Sequence, residues 1–335
     1  MRSRYLITGA QGFVGRFLTG FLLCSNRNAL VTGVGRSARN DGTFTHRLSQ
    51  WPSRAPLPAQ LSAQLSERFA YEQLSILDLS GMRRIVEDFR PACVFHLASA
   101  LHSDPPEHLI ETNIRGTICL FEAIAGANAP KPTVILGSSA GVYGVLNPNQ
   151  LPVKETAGCE PIDVYGITKL ASEHISRLLG RRHGIPVIVA RIFNIVGPGQ
   201  DERHVCGRMA ALLSINFNNA HATVTFRNLE TTRDFIDVRD VVRALLLLAA
   251  HGEPQSIYNV ATGVETPIRS VLTELVELTG FRGHIAENFD DPNSGVPRSC
   301  ADVSRLRTLG FQPKVKFAQS LLDLVDYYRE IDETR

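Results

Sequence analysis

The sequence predicts an α/β fold built on a doubly wound parallel sheet. Three observations predict it. The apolar run at residues 5–8 leads straight into Gly9, Gly12 and Gly15 at G-x-x-G-x-x-G spacing, and a helical pattern follows. Strand-like and helix-like segments then alternate through the first half of the chain, as in a sheet whose parallel strands are joined by helical crossovers. After Asn194 the alternation gives way to a loop opened by Pro198 and Gly199. Glycines let the backbone turn tightly and approach a pyrophosphate, and the helix N-terminus offers unpaired N–H groups and a positive dipole end, so the first turn is Rossmann-type. Glycine-rich turns are common; the position between a strand and a helix makes this one a dinucleotide site.

The elements follow in order. Residues 5–8 form the first strand. Phe17, Leu18, Phe21 and Leu22 give 15–25 one apolar face at helical spacing. Residues 30–34 are a second strand, ending in Gly35-Arg36-Ser37. Between Arg36 and Arg68 the chain is polar and proline-bearing and holds its single tryptophan, Trp51. It reads as an inserted excursion with a short helix around 59–65, and the sequence assigns it no role. Strands at 92–97 and 134–136 alternate with helices at 81–89 and 110–125. A helix over 163–184 precedes a strand at 187–192. Beyond the loop come a helix at 205–217, a strand at 223–226, and a strand and helix at 233–238 and 241–251 that return to the first domain. Helices at 267–279 and 318–328 close the chain.

Composition excludes several classes. With 335 residues, 44% hydrophobic and 20% charged, the chain can bury a sizeable core. A net charge of +2 gives no field for nucleic acid or an anionic membrane. No apolar run is long enough to span a bilayer, and because Met1 leads almost directly into the first strand no signal peptide is expected. Cys24, Cys93, Cys119, Cys159, Cys206 and Cys300 are scattered without C-x-x-C spacing. They read as reduced cytoplasmic thiols, and no metal site is expected.

The chemistry-bearing pair is Tyr165 and Lys169. Four residues apart, they share one helix face. A phenol is a poor acid or base near neutrality, and a nearby ammonium lowers its pKa. Upstream, Val134 to Ser139 reads as a buried strand ending in two hydroxyls, placed to hold a substrate oxygen beside the tyrosine.

At this point the chain resembles the extended short-chain dehydrogenase/reductase family, in the branch acting on nucleotide-sugars. The resemblance runs along nearly the whole chain. It includes Thr8 to Gly15, Asp78-Leu79, His96-Leu97-Ala98-Ser99, Glu111 to Thr117, Ser138-Ser139 and Val142-Tyr143-Gly144. It continues through the Tyr–Lys pair, Arg191 to Asn194, Gly197 to Gln200 and Arg233 to Val238. It implies a dinucleotide domain at 1–193 and 229–257. A smaller C-terminal α/β substrate lobe would comprise 194–228 and 258–335. It also implies a homodimer pairing the helices at 110–125 and 163–179 across a two-fold axis.

The resemblance assigns roles residue by residue. Gly9, Gly12 and Gly15 cradle the cofactor pyrophosphate, with Phe13 and Val14 over it. Asp78 and Leu79 meet the adenine, though Asp78 also fits a helix N-cap. Leu97, Ala98 and Ser99 line the adenosine and ribose side, Thr112 approaches from the next helix, and Phe193 adds to the cofactor wall. His96 and Asn113 read as structural. Ser139, Tyr165 and Lys169 form the catalytic set: Ser139 holds the carbonyl oxygen, Tyr165 protonates it, and Lys169 bridges the nicotinamide ribose. Asn194 and Arg233 face the substrate, Arg233 pairing with its diphosphate. The family's basic residue is missing from the stretch Asp291 to Pro297, and Arg298 stands in for it.

Two details choose among reactions. An NAD site has a carboxylate after the second strand for the ribose 2′-hydroxyl. Here Arg36 stands there, with Arg39 nearby, and a guanidinium suits a 2′-phosphate. NADP(H) is therefore the expected cofactor, with NAD(H) possible; the plain alternative is a surface arginine without a ligand. Ala140 and Gly141 follow Ser139 where 4,6-dehydratases of the family carry Asp-Glu, so dehydration is not expected. The sequence thus points to NADPH-dependent reduction of a nucleoside-diphosphate-4-keto-6-deoxy-hexose, looking most like the GDP-6-deoxy-4-keto-hexose reductases. The rivals are a nucleotide-sugar 4-epimerase with tightly bound NAD, favoured by Ser-Ser-Ala-Gly-Val-Tyr-Gly, and a non-catalytic NAD(P)-sensing protein.

Overall fold

Adjacent residues of the predicted strands alternate between two apolar environments, as they must when a pleated strand is buried on both faces. In the computed structural model, which describes residues 3–49, 54–58, 61, 67–288 and 295–333, Leu6, Val94, Val134, Leu136, Val187 and Val189 join one core and Ile7, Phe95, Ile135 and Ile188 the other. Between the two cores lies a seven-stranded sheet. Its strands are β1 (Ser3–Thr8), β2 (Ala29–Gly35), β5 (Phe69–Gln73), β6 (Cys93–His96), β7 (Thr133–Ser139), β8 (Val187–Ile192) and β12 (Ile257–Val260). The order is β12-β8-β7-β6-β1-β2-β5, and every pairing is parallel.

Helices cover both faces. Helix α1 (Phe13–Ser25) contributes Phe17, Leu18 and Leu22 to one core; helix α2 (Leu79–Phe89) contributes Met82, Ile85 and Val86 to the other. The helix expected over 110–125 is interrupted. It consists of α3 (Pro106–Leu109), a π-helical turn (Ile110–Arg115) and α4 (Gly116–Gly126). Such a turn carries no composition signature, and insertions of this kind often mark functional positions. Helix α5 (Val164–His183) has clear boundaries: Asp163 Oδ1 accepts from Gly166 N at 2.6 Å, and Gly184 ends it at φ +66°.

The remaining strands form small sheets. The inserted excursion folds back as an antiparallel ribbon of β3 (Thr43–Arg47) and β4 (Arg54–Pro56). Trp51 and most of the expected helix around 59–65 lie outside the described residues. Strand β9 (Asn194–Val196) pairs with β11 (Thr232–Asp237), which pairs with β13 (Glu265–Pro267); β10 (Thr223–Arg227) pairs with β14 (His284–Asn288). Residues 233–238 therefore do not rejoin the large sheet. Only the following helix, α7 (Val238–His251), packs on it, beside α1. Helices α6 (Val205–Ile215), α8 (Ile268–Thr279) and α10 (Phe317–Glu333) pack together, and α9 (Ser304–Thr308) lies beside β12.

Two buried carboxylates tie these parts together. Asp234, fully buried on β11, accepts from Thr262 N, Thr262 Oγ1, Gly263 N and Ala301 N, all at 2.7–3.1 Å. Glu173 on α5 and Arg191 on β8 form a buried pair at 2.8 Å. Ser138 donates to the same carboxylate at 2.5 Å, and the Arg191 guanidinium lies 4.8 Å over the Tyr143 ring. Among the described residues no helix is long and apolar enough to cross a membrane. No group of three or more His, Cys, Asp or Glu residues among them is placed to hold a metal ion.

Candidate active site

The carboxyl ends of β1, β2, β6 and β7 open into one cavity of about 820 Å³. That is where an open α/β sheet holds its ligands. The glycine loop forms one wall. Gly9 sits at φ +73°, and a Cβ on Gly15 would lie 2.3 Å from the Gly9 carbonyl oxygen. The close packing of strand, turn and helix thus requires glycine, and it leaves the N-terminus of α1 open toward the cavity. This cradle fits a dinucleotide's pyrophosphate.

The structure gathers most of the residues the sequence singled out. Gly9, Gly12, Phe13, Val14, Gly15, Arg36, Leu97, Ala98, Ser99, Thr112, Ser139, Tyr165, Lys169, Phe193, Asn194, Arg233 and Arg298 all line the cavity. Asp78 and Leu79 do not. Asp78 is the N-cap of α2, its Oδ1 accepting from Gly81 N at 3.0 Å and from Ser80 Oγ at 2.9 Å. Leu74 and Ile76 take the wall positions instead. Asp78 Oδ1 is thus engaged at the helix end, as the N-cap reading of this residue expects.

His96 is buried between the hydroxyls of Thr8 and Thr117, at 2.8 and 3.1 Å. Burial depresses its pKa to about 3, with Lys169 adding to the effect. Asn113 Oδ1 accepts from Ala100 N at 2.8 Å and from Ser99 Oγ at 3.0 Å, and its Nδ2 donates to Thr168 Oγ1. Both are structural struts. Asn113 sits in the π turn, whose extra residue brings it against the segment after β6 and against α5 together.

At the centre, Ser139 ends β7 and its Oγ accepts from Gly141 N at 3.1 Å. Tyr165 is half-buried beside it. Burial raises the phenol's pKa, and a hydrogen bond with Ser139 opposes that rise. The expected lowering by Lys169 is not what this arrangement gives: the ammonium is engaged elsewhere, donating to the Gly137 carbonyl. Burial depresses Lys169 itself to about 8, with Glu173 opposing. Gly141 lies against the Tyr165 ring, so neither it nor Ala140 supplies an acid or base there.

Two further arginines, Arg233 and Arg298, line the cavity. Arg233 is half-buried, donates only to its neighbour's carbonyl (Thr232 O, 2.7 Å), and has no carboxylate partner among the described residues. Burial lowers its pKa. A half-buried guanidinium on a cavity wall without a carboxylate partner has the chemistry to pair with an anion there. Arg298 is instead held by Glu265 through two 2.7 Å bonds. Asp291 to Ser294 of the neighbouring stretch lie outside the described residues.

Sequence reasoning missed a second polar group on the wall: His46 from β3, His102 and Asp104 after β6, and Asp201, Arg203 and His204 after β9. None stands in a motif. They meet only because three separate segments of the chain converge.

The model of the NAD dependent epimerase/dehydratase family matches residues 5–261. Among curated proteins, the GDP-6-deoxy-D-mannose reductase of Pseudomonas aeruginosa is 28% identical over 328 residues, covering 96% of this chain and 95% of that one. The UDP-glucose 4-epimerase of Mycolicibacterium smegmatis is also 28% identical, over 332 residues, covering 97% and 98%. Among solved structures, RMD from Pseudomonas aeruginosa complexed with NADPH superposes with a TM-score of 0.78 at 24% identity, covering 98% of this chain and 99% of that one.

Proposed function

The chain belongs to the NAD dependent epimerase/dehydratase family, and from that premise we propose that it reduces the 4-keto group of a nucleoside-diphosphate-4-keto-6-deoxy-hexose with NADPH. The observation that carries this reading is Arg36. It stands at the cavity end of β2 without an ion-pair partner among the described residues, where a carboxylate would mark an NAD site. A guanidinium there favours the 2′-phosphate of NADP(H).

The site residues fit reduction. Arg233 takes the substrate's diphosphate, and Asn194 and Arg298 border the sugar. The nicotinamide supplies the reducing equivalent. Ser139 holds the carbonyl oxygen, and Tyr165 gives it a proton. Lys169 binds the nicotinamide ribose and, with that ligand in place, favours the phenolate left behind. Ala140 and Gly141 leave no group for eliminating water, so the 4-keto sugar must arrive ready-made. The reaction draws on the cytoplasmic NADPH pool. The working unit is a homodimer: Ile110, Ile118, Ile167 and Leu178 stand 38–59% exposed on the helices expected to pair.

A second reading, 4-epimerisation with bound NAD, is favoured by the Ser-Ser-Ala-Gly-Val-Tyr-Gly segment and by the similarity to the mycobacterial epimerase. One assay separates them. The purified protein should be largely cofactor-free, oxidise NADPH when given a GDP- or dTDP-4-keto-6-deoxy-hexose, and be inert toward UDP-glucose. Copurified NAD with interconversion of UDP-glucose and UDP-galactose would replace the reductase reading with the epimerase.

A further inference from the structure

The β3–β4 ribbon has no place in the chemistry described above. It is fixed at three points. Thr45 N donates to Gln11 O on the glycine loop at 3.3 Å. Arg16 of α1 donates to the Thr43 carbonyl at 3.0 Å. Tyr327 of α10 donates to the Pro56 carbonyl at 2.9 Å. Phe44 packs edge-on against Phe13 of the glycine loop, with ring centres 6.0 Å apart. Its ring also fills the space a side chain on Gly199 would need. The ribbon therefore spans from the glycine loop to the 197–204 segment, beside the N-terminus of α1.

His46 projects from this ribbon at the cavity wall. Its side chain is 8% exposed and stacks on Phe44 at 5.1 Å. Nδ1 stands 3.9 Å from Asp201 Oδ2, too far for a hydrogen bond. Nε2 is buried with no partner. A buried polar atom without a partner is destabilising, and at a cavity wall a ligand can relieve it.

We propose that the ribbon roofs the diphosphate bridge of the cofactor and that His46 is the residue by which it grips that bridge. The inference rests on the dinucleotide reading above. The charged groups around the imidazole leave room for an anion. Asp201 is neutralised by Arg203 through bonds of 2.6 and 3.0 Å. Glu202 is bonded by Ser49 N, and Asp104, beyond Arg203, by Leu101 N. His204 is itself depressed by burial, with the His102 ring 6.4 Å from it. Burial holds His46 down to about 4 against the pull of Asp201 and of the Gly199 backbone, so it is neutral in the free protein near neutrality. A diphosphate beside it favours the imidazolium. Binding then draws a proton from solvent, and affinity rises as pH falls toward the bound-state pKa.

Calorimetric titration of the whole protein with NADPH near pH ~6.5, where an imidazole readily titrates, tests this in two buffers of different ionisation enthalpy. Wild type should take up about half a proton or more beyond His46→Gln and His46→Phe; the second variant keeps the stack on Phe44. Both variants should bind NADPH about tenfold more weakly, the scale of one charged hydrogen bond. Titrating wild type with NADH, which has no 2′-phosphate to titrate, should show the same uptake even if the variants fold poorly. Equal uptake and affinity in folded variants, or wild-type binding of NADH without uptake, overturns the inference and leaves the dinucleotide reading standing. Uptake that depends on His46 with GDP alone and not with dinucleotide also overturns it. A wild type that binds neither dinucleotide overturns both.

Discussion

Replacing Lys169 with methionine should make the ligand-free protein more stable while destroying its turnover. Lys169 is 7% exposed, and burial moves its pKa from the ordinary 10.5 to about 8. At 1.36 kcal/mol per pKa unit, keeping it charged costs the folded state about 3 kcal/mol. Losing the hydrogen bond to the Gly137 carbonyl takes back about 1 kcal/mol. Methionine has nearly the same shape and no charge. The expected net gain is about 2 kcal/mol at pH 7. The sign follows from the depressed pKa. Below about 8 both folded and unfolded chains carry the proton, and the penalty is complete. As pH rises from about 8 toward 10.5 the folded protein sheds the proton first, and the penalty fades. Urea unfolding of both proteins, without cofactor, at pH 7 and again near pH ~10 reads the difference directly. A Lys169→Met protein less stable than wild type at pH 7 would refute the reasoning, as would a gain that grows with pH.

Other measurements bear on the reaction. Tyr165→Phe removes one hydroxyl from a ring that still packs, so turnover should fall by ~100-fold or more with NADPH affinity near wild type; retained activity would displace Tyr165 as the proton donor. Arg36→Ala should weaken NADPH by ~1.5–3 kcal/mol and leave NADH nearly unchanged, and a wild type that binds both equally would remove the basis for NADP(H). Light scattering at micromolar protein should give the mass of a dimer, and Ile167→Glu, on an exposed apolar position, should shift it toward the monomer.

The sequence was informative where a function is encoded locally. Gly9, Gly12 and Gly15 announce themselves because one turn must satisfy its own steric limits. Asp163 and Gly184 marked the ends of α5 because caps act on their own helix. Tyr165 and Lys169 were legible because helical periodicity sets their common face. What the sequence left open shares a different cause. Asp78 carries the right residue type, yet the choice between capping α2 and facing a ligand depends on where the next strand places it. The small sheet of β9, β11 and β13 joins segments more than thirty residues apart, and no local pattern reports such a pairing. His46 was invisible for the same reason: its neighbours Phe44, Gly199 and Asp201 come from two excursions that meet only in three dimensions.

The four hydrogen bonds of Asp234 also bear on how the cavity can be re-cut by exchange of sequence. One of them pins Ala301, two residues after Ser299 on the cavity wall, and Val153 bridges to the same residue. On the upstream side β14 is anchored by its pairing with β10. The described residues of this stretch are also held from outside: Pro297 O accepts from Thr232 N at 3.0 Å, and Arg298 pairs with Glu265 at 2.7 Å. Side-chain substitutions at Gly295, Val296 and Ser299 leave both moorings in place, so this part of the cavity wall can change while the sheet, the glycine turn and the Tyr165–Lys169 helix stay as they are.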